Sequence, residues 1–377
     1  MSDRKKICIL PNRLMLGGIE KVLVEGLQVL HEQYDIEIVC FRDEKCSAVL
    51  DAIPENVKVT YRTLPVRGVV GLLGKIPYLC RGVYRKALGD GQWDHLIVLR
   101  PSVLNAVFAG KAKHTVFWCH NDHHRGFSGE KLPLKKRFAK AIRRMVYRKY
   151  DAIWTVSDVV AQEMGACFSL NNVYALPNPL NCEAIQSMAC EDCDTKLDSS
   201  KTNFIMIGRM SPEKGFQRVL RFMCQDVLSK YPQAQLYLIG NDTDDAKLKL
   251  RIEQLGMADR VCLLGPKANP YPYLKQAQYL ICPSVSESFG LVMLEAMLLG
   301  VRVITTDTVG GRYITKDGTC GCCVLNDDGA LQTAVERYLR DINAYTYDMD
   351  EARQWAYDHD ISRFGTRLLE LLSNKER

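Results

Sequence analysis

Short runs of apolar residues alternate with longer segments of helical spacing from one end of the chain to the other. The runs are continuously apolar instead of alternating with polar residues, which is typical of parallel strands covered on both faces. Because helical segments of roughly 10–20 residues separate most of them, the pattern predicts βα units, parallel sheets and an α/β fold. The predicted strands are residues 6–10, 36–40, 95–99, 115–119 and 152–156 in the first half and 203–207, 235–239, 261–265, 279–283 and 302–306 in the second.

A break in this pattern divides the chain in two. Residues 176–181 carry two prolines and two asparagines, and the polar stretch that follows has no convincing strand. A second βα series begins at Asn203. We therefore expect two doubly wound, Rossmann-like domains that face each other across a cleft, the first over 1–180 and the second over 181–355.

The composition is that of a soluble globular protein. Of the 377 residues, 47% are hydrophobic and 25% are charged, which excludes a disordered or fibrous chain. No apolar stretch reaches the roughly 18 residues that a membrane-spanning helix needs. The apolar run behind the basic N-terminus ends at Pro11 and is too short for an export signal. We therefore expect a cytoplasmic protein whose 15 cysteines are free thiols.

One segment holds the excess positive charge. The chain has 50 Lys and Arg against 44 Asp and Glu, a net charge of +6, and residues 131–150 contain nine of these cations and no acid. Their spacing predicts a cationic amphipathic helix suited to the anionic inner face of a cytoplasmic membrane, with residues 66–88 beside it. A solvated helix face is the alternative, and no nucleic-acid-binding module is recognised. The residues expected at the membrane are Lys136, Lys140, Arg143, Arg144 and Arg148.

Two segments that follow predicted strands carry residues suited to phosphate. Gly17 and Gly18 open a helical pattern, and glycines at such a turn let a phosphate approach the backbone N–H groups of a helix N-terminus. A plain turn is the alternative. Arg209 and Lys214 follow the strand 203–207, and α/β sheets bind ligands at the carboxyl ends of their strands. Two cations at this spacing suit a diphosphate, and the alternative is a solvated loop.

Two glutamates and a histidine are candidate sugar-binding residues. Glu287 lies in a segment typical of a helix start, where backbone N–H groups point outward. Glu295 lies in an otherwise apolar helix pattern, where a carboxylate is costly without a partner, and hydroxyl groups of a sugar or ribose fit it. His120 ends a predicted strand and lines either a cleft or the core. No Cys or His spacing indicates a zinc site, so no metal is expected.

Together these segments resemble the retaining nucleotide-sugar glycosyltransferases of family 4, which have the GT-B fold. The motifs follow the family's order over nearly the whole chain, and residues 286–300 are the most specific of them. The resemblance implies an N-terminal acceptor domain, a C-terminal donor domain and a last helix, from about residue 356, that crosses back to the first domain. The motifs are GGIE at 17–20, His120, PNPL at 177–180, GRMSPEKGF at 208–216, SESFGLVMLEAMLLGVRVI at 286–304 and VGG at 309–311.

The resemblance also implies roles for individual residues. Arg209 and Lys214 would neutralise the leaving diphosphate, the task that a metal ion performs in the other main glycosyltransferase fold. Glu287 would hold hydroxyl groups of the donor sugar, His120 would contact that sugar near the reacting carbon, and Glu295 would bind the ribose. Glu287 and His120 are therefore the expected catalytic residues. The backbone expected to face the diphosphate and the sugar belongs to Gly17, Gly18, Ser288, Phe289, Gly290 and Leu291.

The chain departs from the family pattern at two places. Arg312, Tyr313 and Ile314 stand where an acidic residue usually follows the late glycine pair. The second departure is 240–242, which reads Gly-Asn-Asp where a glycine pair is common. Both departures bear on the identity of the donor more than on the class of reaction.

The expected function is the transfer of a hexose-type sugar, with retention, from a nucleotide-diphosphate sugar to a membrane-presented glycan or lipid-linked acceptor. UDP is the expected nucleotide because it is the most frequent, and the setting is bacterial cell-envelope polysaccharide synthesis. The alternatives are a nucleotide-sugar 2-epimerase of the same fold, a transferase with a soluble acceptor, and a two-domain sugar-binding protein. The basic segment weighs against the epimerase. The lack of a recognised export signal weighs against the sugar-binding protein.

Overall fold

The computed structural model of the protein describes residues 4–15, 17–62, 88, 91–99, 111–122, 124–127, 132–240, 245–341 and 347–373. The chain divides into two compact units, one of Met1–Pro179 with Ser362–Arg377 and one of Leu180–Ile361. Each unit is built on one parallel sheet with helices packed on it. Of the segment 66–88, which was expected beside the cationic helix, only Leu88 lies within the described residues.

The first unit holds the strands β1 (Lys6–Leu14), β2 (Asp35–Lys45), β3 (Lys58–Tyr61), β4 (Trp93–Val98), β5 (Ala112–Cys119), β6 (Ala152–Thr155) and β7 (Val173–Ala175). Their order in the sheet is β3-β2-β1-β4-β5-β6-β7, and all neighbours are parallel. Its described helices are α1 (Gly18–Leu30), α2 (Ser47–Asp51), α3 (Leu134–Tyr147) and α4 (Asp158–Phe168). The order places β1 inside the sheet between β2 and β4, where the direction of the strand order reverses, as in a doubly wound sheet.

The second unit holds the strands β8 (Thr202–Ile207), β9 (Ala234–Ile239), β10 (Val261–Gly265), β11 (Tyr279–Cys282), β12 (Arg302–Thr306) and β13 (Cys322–Val324). Their order is β10-β9-β8-β11-β12-β13, again with parallel neighbours. Its described helices are α5 (Cys182–Met188), α6 (Phe216–Phe222), α7 (Leu228–Lys230), α8 (Asp245–Gln254), α9 (Tyr271–Gln276), α10 (Leu291–Leu298), α11 (Val309–Thr315), α12 (Asp328–Arg340) and α13 (Met349–Tyr357). A π-helical turn, Met223–Val227, joins α6 to α7.

Each of the ten strands predicted from an apolar run is present, so the α/β prediction is confirmed. The prediction did not include the short strands β3, β7 and β13, which all lie at a sheet edge. Their residues are largely half-buried or exposed, because an edge strand is covered on fewer sides than a central one. They therefore lack the continuous apolar run that marks a central parallel strand.

The last helix, α14 (Ile361–Ser373), belongs almost entirely to the first unit, as the sequence predicted. The Phe364 ring stacks on that of buried Trp118, with 6.1 Å between the ring centroids. A Cβ atom at Gly365 would lie 3.2 Å from the Val29 side chain, and one at Gly26 would lie 3.3 Å from Trp118. Small residues therefore let α14 approach α1 closely. No described helix combines the length and the apolar character that crossing a bilayer requires.

Candidate active site

The loops that leave the carboxyl edge of the second sheet are locked together. Gly215 has a φ of +71°, and a Cβ atom there would lie 2.2 Å from the Pro283 carbonyl oxygen. Only glycine therefore lets the loop after β8 approach the loop after β11 so closely. The Val285 N–H also donates to the Glu213 carbonyl at 2.8 Å. These contacts hold the loop with the predicted diphosphate cations against the loop with the predicted sugar-binding glutamate.

Lys214 and Glu287 form an ion pair at this junction. The Lys214 Nζ lies 2.5 Å from Glu287 Oε2, and Ser284 Oγ donates to the same oxygen at 3.3 Å. Burial opposes the charge on Lys214, but the attraction of Glu287 outweighs it and the pKa of the lysine is raised. Arg209 is exposed, and its charge acts on Lys214. The fold therefore brings Glu287 into contact with Lys214, although the two residues were predicted from different segments of the chain.

Two polar side chains that the sequence pattern did not indicate hold the loop after β11. Arg218 donates to the Pro283 carbonyl at 3.1 Å and to Asn326 Oδ1 at 2.7 Å. Asn326 Nδ2 in turn donates to the Val285 carbonyl at 3.1 Å, and Asp328 accepts from Arg218 Nε at 2.6 Å. These partners lie about 65 to 110 residues from Arg218, so local sequence patterns carry no signal for them.

The segment from Glu287 to Gly290 is fixed from its other side by α11. The Gly310 N–H donates to the Glu287 carbonyl at 2.8 Å. A Cβ atom at Gly310 would lie 2.5 Å from the Phe289 carbonyl oxygen, so glycine is needed for this contact. Gly290 has a φ of +95° and precedes α10 directly. Gly310 of the VGG motif therefore allows a close approach to the predicted sugar-binding segment, whereas Gly311 allows a close approach to the Thr306 carbonyl.

The residues whose backbone was predicted to bind the donor lie along this segment. Ser288 and Leu291 are half-buried, whereas Phe289 is buried. Leu291 is the first residue of α10, where backbone N–H groups lack partners within the helix. The Phe289 ring packs against those of Tyr313 and His359, with centroids 5.6 and 5.7 Å apart. Tyr313, a departure from the family pattern, therefore helps to fix the predicted sugar-binding segment.

Glu295 is buried inside α10 with 7% of its surface exposed. The Tyr271 hydroxyl, which comes from α9, donates to Glu295 Oε1 at 3.2 Å. Sequence reasoning required a partner for this carboxylate but did not find the tyrosine. The Asn-Pro-Tyr-Pro sequence at 269–272 was its only local signal, because two prolines fix the backbone around the aromatic residue.

The other predicted donor residues belong to the first unit. Gly17 and Gly18 follow β1 and begin α1, and His120 follows β5, so all three lie at the carboxyl edge of one parallel sheet. His120 is 8% exposed, and its ring centroid lies 5.0 Å from that of Trp118. A Cβ atom at Gly18 would meet no described atom within 4 Å. Packing therefore does not require a glycine at this position. The open space beside Gly18 is compatible with a bound ligand.

The predicted cationic helix is α3, and its outer side is apolar. Leu134, Phe138 and Met145 have exposed fractions of 81%, 70% and 51%. With Ala141 they recur at intervals of three and four residues and so share one helix face. Tyr147, on the opposite face, is buried in the core of the first unit. The apolar stripe of α3, namely Leu134, Phe138, Ala141 and Met145, therefore points away from that core.

The cations predicted to bind a membrane differ in their surroundings. Lys140 donates to the Phe127 carbonyl at 3.1 Å, and the Arg143 guanidinium lies 4.7 Å from the centroid of the Phe127 ring. These two side chains are held against the first unit. Arg137, which was not among the predicted residues, is exposed beside the apolar stripe. The other three predicted cations are exposed or half-buried, and no carboxylate in the described part of the chain pairs with them. They are Lys136, Arg144 and Arg148.

The described residues contain no cluster of possible metal ligands and no disulfide bond. No three His, Cys, Asp or Glu side chains come together there as metal ligands. The described cysteines are free thiols, most of them buried or half-buried.

Two Rossmann-like units with parallel sheets, and a last helix that returns to the first unit, define the GT-B class of glycosyltransferase. Two family models match the chain in the same arrangement. The model described as Glycosyltransferase Family 4 matches residues 16–184, and the model described as Glycosyl transferases group 1 matches residues 192–355. The chain belongs to the family 4 glycosyltransferases and is a glycosyltransferase, as its sequence motifs predicted.

Individual relatives differ in how much of their length the chain matches. An uncharacterised glycosyltransferase of Methanocaldococcus jannaschii is 29% identical over 144 residues, which are 37% of this chain and 35% of that protein. The N-acetylgalactosamine-N,N'-diacetylbacillosaminyl-diphospho-undecaprenol 4-alpha-N-acetylgalactosaminyltransferase of Campylobacter jejuni is 22% identical over 351 residues, 89% of this chain and 91% of that one. The chain thus spans about a third of the first relative and most of the second.

A solved structure shares the whole architecture. The crystal structure of Anabaena HepE in complex with UDP superposes with a TM-score of 0.72 at 16% identity and covers 98% of this chain and 100% of that one. HepE has also been crystallised with UDP-glucose. At this identity the likeness establishes the fold, and it leaves the donor of this chain open.

Proposed function

We propose that this protein is a retaining glycosyltransferase that moves a hexose-type sugar from a UDP-sugar to a lipid-linked or glycan acceptor presented at a membrane. The observation that carries the proposal is the Lys214–Glu287 pair, which joins a cation and a carboxylate at the carboxyl edge of the second sheet. A nucleotide-sugar needs both charges within a few ångströms, because its diphosphate is anionic and its sugar hydroxyls donate to carboxylates.

In this proposal the cations act on the leaving diphosphate. Negative charge builds up on the leaving phosphate as the bond to the sugar breaks, and cations held in place beforehand stabilise that charge best. Lys214 is charged, and its loop is fixed by Gly215, so it meets this requirement. Arg209 is exposed at the same edge and can turn toward the phosphates. With these cations we propose that no metal ion is needed.

In the second unit, the sugar would be held by the segment from Glu287 to Leu291. Glu287 is fixed by Lys214, by Ser284 and through its carbonyl by Gly310, so its carboxylate is positioned before the donor arrives. We propose reaction on one face of the sugar, with the leaving phosphate taking the proton of the acceptor hydroxyl. No covalent glycosyl-enzyme is formed in this scheme, and the configuration at the anomeric carbon is retained.

UDP and a lipid-linked acceptor are supported by the relatives. HepE has been crystallised with UDP and with UDP-glucose, and the name of the Campylobacter jejuni relative includes a diphospho-undecaprenol-linked saccharide. We propose a UDP-sugar donor and a lipid-linked acceptor for this chain as well. They fit a role in cell-envelope polysaccharide synthesis, on the cytoplasmic side of the membrane where nucleotide-sugars are made.

The helix α3 supports the membrane part of the proposal. Its apolar stripe is exposed, and Arg137, Arg144 and Arg148 lie along one side of that stripe. Cations near an anionic bilayer contribute about 1 kcal/mol each, and apolar side chains at the same face add to the attachment. Peripheral binding through α3 would bring the first unit to the membrane that presents the acceptor.

A donor panel tests the proposed activity. Purified protein is incubated with UDP-, GDP- and ADP-sugars, in buffer with and without EDTA, and the release of nucleotide and free sugar is followed. We expect slow hydrolysis of one UDP-sugar, unchanged by EDTA. Interconversion of UDP-sugars without release of free sugar would indicate an epimerase. Binding of free sugars without turnover of any donor would indicate a sugar-binding protein, and loss of activity in EDTA would contradict metal independence.

A further inference from the structure

The buried carboxylate of Glu295 poses an electrostatic problem. It is 7% exposed, and its neighbours in α10, Leu294 and Ala296, are fully buried. A carboxylate in such surroundings is costly unless hydrogen bonds compensate for the lost water. Each hydrogen bond that the protein supplies also fixes the direction in which the remaining lone pairs of the carboxylate point.

Tyr271 supplies one of these bonds from a rigid support. Its hydroxyl donates to Glu295 Oε1 at 3.2 Å, and its own surface is only 6% exposed. It is the first residue of α9 and lies between two prolines. Asn269 Oδ1 accepts from the Tyr271 N–H at 3.1 Å, and Asn269 Nδ2 donates to the Met188 carbonyl at 2.8 Å. The start of α9 is thereby tied to α5.

We propose that Tyr271 is a positioning residue that orients Glu295 to accept hydrogen bonds from the ribose hydroxyls of the bound nucleotide. The inference rests on the proposed function, because Glu295 meets a ribose only if the second unit binds a nucleotide-sugar. A tyrosine suits this task because its hydroxyl donates a single hydrogen bond and carries no positive charge. A carboxylate has about four acceptor positions, and the Tyr271 hydroxyl occupies one of them.

The same helix contains a matched control. Tyr273 is also buried, at 4% exposed, but its hydroxyl donates to Asp194 Oδ1 at 2.5 Å instead of to Glu295. Tyr273→Phe and Tyr271→Phe therefore remove the same atom from the same helix. Only the second change removes a hydrogen bond to Glu295, so a difference between the two variants reports on that bond.

The experiment measures nucleotide binding by isothermal titration calorimetry on the full chain. The ligands are UDP and 2′,3′-dideoxy-UDP, which lacks both ribose hydroxyls. We expect Tyr271→Phe to weaken UDP binding about tenfold, the effect of losing one hydrogen bond to a charged group. Binding of dideoxy-UDP should be the same in wild type and Tyr271→Phe, and Tyr273→Phe should bind UDP like wild type. In a Glu295→Ala background, which offers the Tyr271 hydroxyl no side-chain acceptor at this position, Tyr271→Phe should have no further effect.

Three results would overturn the inference. The first is equal UDP affinity in wild type and Tyr271→Phe, and the second is an equal loss for UDP and dideoxy-UDP. The third is an equal loss in the Tyr271 and Tyr273 variants, which would indicate a general effect on α9. A thermal melt of each variant confirms that it is folded, and if Tyr271→Phe is less stable the titrations of all variants are made at a temperature below its melting transition. If wild type binds none of UDP, GDP and ADP, the proposed function itself fails, so the two failures are distinguishable.

Discussion

Two cationic regions of this protein differ in how their charges are held. At the edge of the second sheet, Lys214 is paired with Glu287 at 2.5 Å, and Arg218 with Asp328 at 2.6 Å. On α3, cations are numerous, no acid occurs in residues 131–150, and the apolar stripe between them is exposed. The first arrangement fixes each charge at one position, whereas the second spreads charge over a surface.

The difference suits the two kinds of ligand that we propose for these regions. A small dianion that must be bound in one orientation needs cations that are already in place, because reorganisation during the reaction would raise the barrier. A membrane presents many headgroups in no fixed arrangement, so charge density counts more than geometry. Lys140 and Arg143 are intermediate, since both lie on α3 but contact Phe127 of their own unit.

The largest effect is expected at the two cations that we propose for the diphosphate. Lys214→Ala and Arg209→Ala should each lower sugar transfer roughly 100-fold or more, because the leaving diphosphate loses a cation that stabilises its developing charge. Turnover is measured with the donor that the panel selects. The matched control is Lys230→Ala, which removes an exposed lysine paired with Glu336 at 3.0 Å in the same unit. Wild-type turnover in either site variant would contradict the assignment of the diphosphate site.

Substitutions of Glu287 and Glu295 should affect different kinetic constants. We expect Glu287→Gln to lower kcat about 100-fold because it orients the reacting sugar, and Glu295→Gln mainly to raise the donor KM about tenfold because it binds the ribose. Steady-state kinetics over a range of donor concentrations measures both constants. Equal changes in KM alone at the two positions would show that neither glutamate acts on the reacting sugar.

On α3, position should matter as well as charge. Arg137 and Arg148 are exposed, so changing both to Gln should weaken binding to anionic vesicles about tenfold or more. Changing Lys140 and Arg143 to Gln removes the same charge but should weaken binding less, because these side chains are engaged with Phe127. Vesicle sedimentation at low salt measures binding, and donor hydrolysis should be unchanged in both variants. If the wild-type protein does not bind anionic vesicles, the exposed side of α3 is an ordinary solvated helix face, and a soluble acceptor is favoured.

The smallest effect concerns pH. The pKa of Lys214 is raised in the folded protein, so its interaction with Glu287 is fully present below its ordinary pKa and is lost only as the pH rises beyond that value. The terminal phosphate of UDP is already ionised above about pH 6. We therefore expect less than about a twofold change in UDP affinity between pH 7 and pH 9. A loss of affinity centred near pH 8 would contradict a charged, fixed Lys214.

The long strands could be predicted from sequence because a continuous apolar run reports burial on both faces of a sheet. The edge strands β3, β7 and β13 could not, since their exposed sides break the run. The position of α3 shows a second limit of such patterns. The sequence predicted one amphipathic helix, but its apolar residues divide between two sides, because Ile142 packs against the core while Leu134 and Phe138 are exposed. Which side of an amphipathic helix faces the protein depends on its neighbours.

The candidate site shows the same division. Lys214 and Glu287 could be identified because each follows a strand of a parallel sheet, where ligands bind. Their mutual contact could not, because 73 residues separate them and the order of β8 and β11 in the sheet decides it. The role of Tyr271 could not be predicted for a similar reason. Its hydroxyl reaches Glu295 only because the fold places α9 beside α10.

The central claim is that the second unit binds a nucleotide-sugar and that the enzyme transfers the sugar with retention. The most direct test follows the slow hydrolysis of the donor selected by the panel, an α-linked UDP-sugar, by proton NMR before the free sugar mutarotates. The account predicts that the α-anomer appears first, and that Lys214→Ala abolishes its release while Lys230→Ala does not. Initial release of the β-anomer would contradict retention, and unchanged release in Lys214→Ala would contradict the site.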